Sequence, residues 1–267
     1  MNIAVLNFGE PWLVLASTSL IRGLMKKFPE ANISFFVTQE SLPVIQFNRK
    51  VTPISGYTHN TSVVFDFAVN MTPTIEASDF MTEIDAKTQT GFLERNGDIS
   101  PINKDAEEYF SIMHEGQSSD KHLLQVLYKL VGLTWRGEGY DLAYYPKNKT
   151  NKHRTGIAIS HDALRQFVKN NLKLEMSEIH SVPIKKNLLK RMDEINRCMN
   201  VITDDLFILH SSIALRKNVE FLDTSGLSTR IEFFGRGNYY RISDGEWQSQ
   251  MQKDGTQECS RSSQTTC

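Results

Sequence analysis

Residues 1–38 read MNIAVLNFGEPWLVLASTSLIRGLMKKFPEANISFFVT, and the order of signals in this stretch decides the fold. Residues 3–8 form a short apolar run, and Gly9-Glu10-Pro11 breaks it at once. Apolar side chains then return near the helical period at Leu13, Ala16, Leu20 and Leu24. Lys26 and Lys27 sit where a last helical turn favours cations, Pro29 stands just beyond, and residues 32–38 read as a second strand. Strand, tight turn, helix and strand make a βαβ unit, which implies a parallel sheet.

The alternation continues outward from that unit. Residues 41–48 are expected to be helical, 62–70 a strand and 76–87 a helix. Residues 88–102 contain Gly91, Gly97 and Pro101 and read as strand and loop. Between 105 and 133 helical spacing returns twice, at Tyr109, Ile112 and Met113 and at Leu123, Leu124, Leu127 and Leu130. The polar, basic segment 145–154 has little to bury and marks a boundary. A second alternation follows, with strands expected at 155–160, 180–184, 200–203 and 219–222 and helices at 163–171, 186–198 and about 209–215. From 248 the composition turns to Ser, Thr, Gln and charge without apolar periodicity. The expected organisation is an α/β chain with a Rossmann-like lobe over 1–150, a smaller Rossmann-like lobe over 151–247, and a disordered tail over 248–267.

Composition limits the function classes. The 267 residues carry 30 basic and 31 acidic side chains, a formal charge of -1, so no global field draws the molecule to nucleic acid or anionic membrane. Cys198, Cys259 and Cys267 form no disulfide framework and no CxxC or Cys/His metal pattern. The histidines are scattered without metal-ligand spacing, and no metal is assigned. The opening apolar run has no preceding cation and is interrupted at Asn7, Gly9, Glu10 and Pro11, so a signal peptide is not expected.

Two places carry candidate chemistry. Glu10 follows Gly9 in the turn after the first strand, where an open α/β sheet places its ligand site. A carboxylate there suits a general base, or it offsets the dipole of the following helix. Gly9 is not part of a GxGxxG run, so a dinucleotide fingerprint is missing. The second place is the run from Val201 to His210, where a strand ends in Thr203-Asp204-Asp205 and a helix follows. Thr203 or Asp205 serves as a helix cap or meets a ligand, and His210 contacts a ligand or packs on the sheet. Ser160-His161-Asp162 are consecutive, and a catalytic triad is assembled in space, not in a row.

Together these segments resemble the lipopolysaccharide heptosyltransferases, glycosyltransferase family nine. Gly9-Glu10, then residues 20–33, is similar to that family's Gly-Asp turn and its "P-x-x-R-A-L-K-x-x-x-P" helix followed by "A-x-I". Residues 196–215 are similar to its "T-N-D-T-G-P-M-H-L-A-A-A-L" nucleotide-sugar motif, and 66–70 and 86–92 fall where it has "D-L-x-I-N-L" and "A-K-x-R-I-G-F". The resemblance spans most of residues 1–222.

It implies a GT-B architecture, two Rossmann-like lobes with parallel sheets facing across a cleft. It also implies inverting, metal-independent transfer of a sugar from a nucleotide donor, ADP-linked in the family, to a hydroxyl of a glycan or glycolipid, with no further cofactor. Glu10 then takes the place of the catalytic Asp. Ser160, Arg165, Thr203, Asp205 and His210 fall on the donor side, and Gly9 and Lys87 on the acceptor side. The implied location is cytoplasmic, at most peripheral to the bacterial inner membrane, and nucleic acid is not an expected partner. Two departures stand out: Leu206-Phe207-Ile208 replaces Thr-Gly-Pro, and Arg165 is the stand-in for a phosphate-binding lysine. A second reading follows from them, a catalytically inactive GT-B scaffold that binds a sugar, nucleotide or protein partner.

Overall fold

The computed structural model describes residues 1–58, 63–151, 154–161, 164–165, 168, 178–184, 187–224, 230–243 and 246–250. The opening unit is β1 (Asn2–Leu6), α1 (Pro11–Lys27) and β2 (Asn32–Val37), with the two strands paired in parallel. Pro11 begins the helix where a missing N–H leaves no bond unmade. A short α2 (Leu42–Ile45) leads to β3 (Val51–Ser55). Then come β4 (Phe67–Asn70), α3 (Ile75–Glu83), β5 (Gln89–Arg95) and β6 (Asp98–Pro101). Helices α4 (Lys104–Met113) and α5 (Leu123–Leu130) complete the first lobe.

Among the described residues the first sheet runs β3-β2-β1-β4-β5-β6, and β6 is its antiparallel strand. The sequence gives no signal for β3 because Pro53 lies inside it. The structure tolerates the proline because β3 is an edge strand, where a ladder N–H is dispensable. The hairpin from β5 to β6 turns on Asn96 and Gly97, both at positive φ, the two-residue turn whose twist matches the strands.

The second lobe contains β7 (Thr155–Ala158), β8 (Ile179–Ser181), α6 (Leu188–Asn196), β9 (Asn200–Thr203), α7 (Leu206–Ala214), β10 (Asn218–Asp223), β11 (Gly237–Ser243) and β12 (Glu246–Gln250). Its strand order is β12-β11-β10-β9-β7-β8, parallel except for β12. Of the helix expected over 163–171, Leu164, Arg165 and Val168 are described and helical. The expected tail starts too early: residues 248–250 belong to β12, and its antiparallel pairing to β11 supplies backbone bonds that composition does not announce. Residues 251–267 lie outside the described residues.

Both faces of the central strands are covered, as a parallel sheet requires. On β1, Ile3 and Val5 enter a large core while Ala4 and Leu6 enter a second one on the opposite face. The large core is not confined to one lobe. It joins Val14, Leu20 and Leu24 of α1 to Leu127 of α5, and to Phe207, Leu209 and Ile213 of α7. Helix α1 is buried along most of its length because sheet, α5 and α7 surround it. The chain also returns to the first lobe near its end, where Leu123 N donates to Arg230 O (2.9 Å) and Ile231 and Phe233 join the shared core. No helix among the described residues is long and apolar enough to cross a membrane.

Gly91 marks the tightest approach inside the first sheet. Its φ is +93°, and a Cβ there would lie 1.8 Å from the carbonyl oxygen of Asn70 on the paired strand. The substitution Gly91→Ala is expected to cost about 3 kcal/mol or more, combining left-handed strain with that collision. Urea unfolding of the variant beside the wild type measures it, and a loss within error of zero contradicts the close approach.

Candidate active site

Two strand reversals point at each other. In the first sheet β1 lies between β2 and β4, and in the second β7 lies between β8 and β9. Such switch points open a crevice at the carboxyl ends of the strands. Here both crevices contribute to one cleft of about 670 Å³. Its first wall is Phe8 to Trp12 after β1, with Thr38 and Glu40 after β2. Its second wall is Ser160 after β7, Asp204 and Asp205 after β9, Leu206 and Phe207 opening α7, and Leu188 and Arg191 of α6.

The turn carrying Glu10 is latched from behind. Buried Asn7 accepts from Gly9 N (3.1 Å) and donates to Ser17 Oγ (3.0 Å), while Phe8 N donates to Thr72 Oγ1 (2.7 Å). Gly9 is closely surrounded: a Cβ there would lie 3.1 Å from Asn7 Oδ1 and 3.2 Å from Leu13 Cδ2, side-chain atoms that would have to shift by a few tenths of an ångström. Glu10 is the N-cap residue of α1, yet its side chain does not cap the helix. The side chain is exposed, and Oε2 accepts from the indole Nε1 of Trp12 at 2.8 Å. That bond fixes one carboxylate oxygen, and the other has no partner among the described residues.

Trp12 also connects the lobes. Its ring stacks on His210 of α7 at 5.3 Å between centroids and 20° between planes. His210 Nδ1 lies 2.6 Å from Tyr140 Oη, and Nε2 has no hydrogen-bond partner among the described residues. His210 is fully buried, and burial pushes its pKa down to about 3, so the ring is neutral. His210 therefore sits behind the cleft wall, at the contact between lobes, and not on the cleft surface.

The opposite wall is organised by adjacent aspartates with different roles. The Asp204 side chain is completely buried and accepts from Ser160 N (2.8 Å), Ser160 Oγ (2.7 Å), His161 N (3.2 Å) and His161 Nδ1 (2.8 Å). Burial alone would raise its pKa, but the donors from His161 and Ser160 outweigh it and hold the carboxyl below its ordinary value. Asp205 is the N-cap of α7, with Oδ1 accepting from Ile208 N at 2.8 Å, and burial raises its pKa. Ser160, His161 and Asp204 do not form a nucleophilic triad. Serine and aspartate meet the same imidazole nitrogen, and the hydroxyl donates to the carboxylate, so no base faces the serine.

The other residues singled out in the sequence are distributed differently. Thr203 is fully buried and its Oγ1 accepts from Asp205 N (3.0 Å), so it supports the turn from within. Arg165 donates from Nε to Ile159 O (2.8 Å) and lines a separate cavity beyond β7. Lys87 is not at the cleft. It precedes β5 at the amino end of the sheet and pairs with Asp66 at 2.7 Å, because β4 and β5 run parallel and residues before them face away from the switch point. The motif match at 86–92 is thus a match of fold position and not of site position.

Sequence reasoning did not single out Trp12, Glu40, Arg191 or Asp204. Arg191 resembles any cation on an amphipathic helix, yet α6 turns it into the cleft, with its guanidinium over the Phe207 ring at 5.6 Å. Among the described residues no three His, Cys, Asp or Glu side chains converge as metal ligands.

No protein-family model and no curated protein matches the sequence. Solved structures do match the fold. The glycosyl transferase family nine protein of Veillonella parvula is 12% identical with a TM-score of 0.59, covering 90% of this chain and 86% of that one. E. coli heptosyltransferase WaaC, solved with ADP, is 10% identical with a TM-score of 0.60, covering 92% and 95%. E. coli ADP-heptose lps heptosyltransferase II is 10% identical with a TM-score of 0.55, covering 92% of each chain. At these identities the likeness is one of fold: the chain has the two-lobed GT-B architecture of glycosyltransferases. The family whose fold it shares is the one its sequence motifs resemble.

The buried neutral His210 makes stability depend on pH. Its unfolded pKa is about 6.5 and its folded value about 3, so the unfolded chain binds the extra proton first as pH falls. The stabilising contribution is complete above about pH 6.5 and shrinks below it, by roughly 2 kcal/mol at about pH 5. His210→Phe, which cannot titrate, is expected to flatten this slope in urea unfolding followed from neutral to acid pH. An unchanged slope means that other groups set it.

Proposed function

We propose that the protein is an inverting glycosyltransferase of heptosyltransferase type, moving a sugar from a nucleotide donor to a glycan hydroxyl. The observation that carries this function is the single cleft between two switch points, with Glu10 on one wall and Ser160, Asp205 and Arg191 on the other. In the proposed step the free oxygen of Glu10 takes the proton of the acceptor hydroxyl. The hydroxyl oxygen forms a bond to the anomeric carbon while the bond to the diphosphate breaks, and the pair of electrons leaves with the nucleotide. One carboxylate suffices for a single displacement, which inverts the anomeric centre.

Arg191 takes the role that the family resemblance gives to Arg165, neutralising the leaving diphosphate from the second wall. Asp205 already fills amides at the start of α7, which leaves Arg191 as the principal phosphate contact in this scheme. Ser160 borders the same space, while Thr203 and His210 hold the wall without touching the donor. Leu206, Phe207 and Leu188 make the adjoining surface apolar, suited to a nucleobase or sugar face. The E. coli heptosyltransferase was solved with ADP, so ADP is the first nucleotide to test.

Calorimetric titration with ADP and ADP-heptose, with UDP as control, tests the donor half. Saturable adenine-nucleotide binding is expected, about tenfold weaker or more in Arg191→Ala. Glu10→Gln is expected to retain nucleotide binding while transfer falls by about a hundredfold or more, and transfer by the wild type is expected to persist in excess EDTA. A folded protein that gives no heat with any nucleotide contradicts the function.

A further inference from the structure

We infer that the acceptor is an uncharged sugar, and that the first lobe rejects phosphorylated and carboxylated ones. The inference rests on the transferase function proposed above and specifies the substrate class of its acceptor side. The loops at the carboxyl ends of β1, β2, β3 and β4 comprise residues 8–12, 38–41, 56–58 and 71–76. They carry Glu10, Glu40 and Glu76, all exposed, and no Lys or Arg. Glu10 and Glu40 line the cleft itself, and among the described residues no lysine or arginine pairs with either.

Cations that would welcome an anionic acceptor are therefore missing from these four loops, Arg95 lying beyond them at the carboxyl end of β5, while the guanidinium of Arg191 stands on the opposite wall. A phosphate or carboxylate placed next to Glu10 meets like charges in a partly desolvated cleft, and unfavourable juxtaposition of this kind sets specificity. A neutral hydroxyl incurs no such repulsion and finds carboxylate acceptors for its hydrogen bonds.

The same rim offers an aromatic surface. Tyr57 is 44% exposed, and its ring lies 4.2 Å from that of Phe8, which lines the cleft two residues before Glu10. Phe80 supports both rings from behind, at 6.1 Å from Phe8 and 5.7 Å from Tyr57. An aromatic ring held rigidly beside carboxylates suits the apolar face and the hydroxyl edge of a neutral pyranose.

Saturation-transfer NMR tests this on the full chain with ADP present, using glucose, galactose and mannose against their phosphates and glucuronate. Neutral sugars are expected to bind about tenfold tighter than the anionic ones, with the gap narrowing in about 0.5 M NaCl. Glu40→Gln is expected to narrow the gap and Glu40→Lys to reverse it, while Tyr57→Ala weakens the neutral sugars without changing ADP affinity. Equal or tighter binding of the anionic sugars overturns the inference, as does failure of every neutral sugar to saturate. Both outcomes leave the transferase function standing where ADP binds, whereas loss of ADP binding speaks against that function alone.

Discussion

The contact between α1 and α7 is the constraint on which the rest of the molecule depends. Each helix covers its own sheet, and the two also cover each other, so the apolar interior of one lobe continues into the other. Trp12, His210 and Tyr140 sit at this junction, in a stack and one short hydrogen bond. The geometry of the cleft follows from it. Glu10 is attached to the first turn of α1 and bonded to Trp12, while Asp205 caps the first turn of α7. The helix contact that joins the lobes therefore also sets the facing positions of the two walls.

Burial has opposite consequences for the charged and titratable groups around this junction. Asp204 stays ionised inside the protein because four donors from the Ser160–His161 turn converge on it, which is how a buried carboxylate is made tolerable. Among the described residues no acid compensates His210, and burial strips its proton instead. Arg191 stands at the cleft surface, where its guanidinium leans over Phe207. The result is a cleft with the exposed carboxylates of Glu10 and Glu40 on the first wall, and with Arg191 beside the buried Asp204 and the helix-capping Asp205 on the second.

Much of the backbone arrangement is legible along the chain because local signals and tertiary demands agree. The βαβ opening, the two-lobe division and the helix after Thr203-Asp204-Asp205 are written in hydrophobic period, capping residues and turn chemistry. Elements that depend on a neighbour are not. The strand containing Pro53 is stable only because it lies on an edge, and the last strand, with Gln and Ser among its residues, is held by pairing with β11. Lys87 shows the same limit at the site. Its motif position is right for the fold, but strand direction carries it to the far end of the sheet, to Asp66.

The sequence by itself determined the class of the fold and the position of Glu10 at the end of the first strand, since both follow from periodicity and turn residues close together in the chain. Tertiary structure alone decided which side chains share the cleft. That Asp204 turns inward while Asp205 caps the helix depends on the register of β7 against β9, which brings Ser160 and His161 onto Asp204. Whether His210 meets the cleft or the core depends on where α1 lies, and whether Arg191 or Arg165 lines the cleft depends on the packing of α6 against α7. These are long-range contacts between groups whose local sequences are unremarkable, and their energy appears only once the two lobes have closed on a common core.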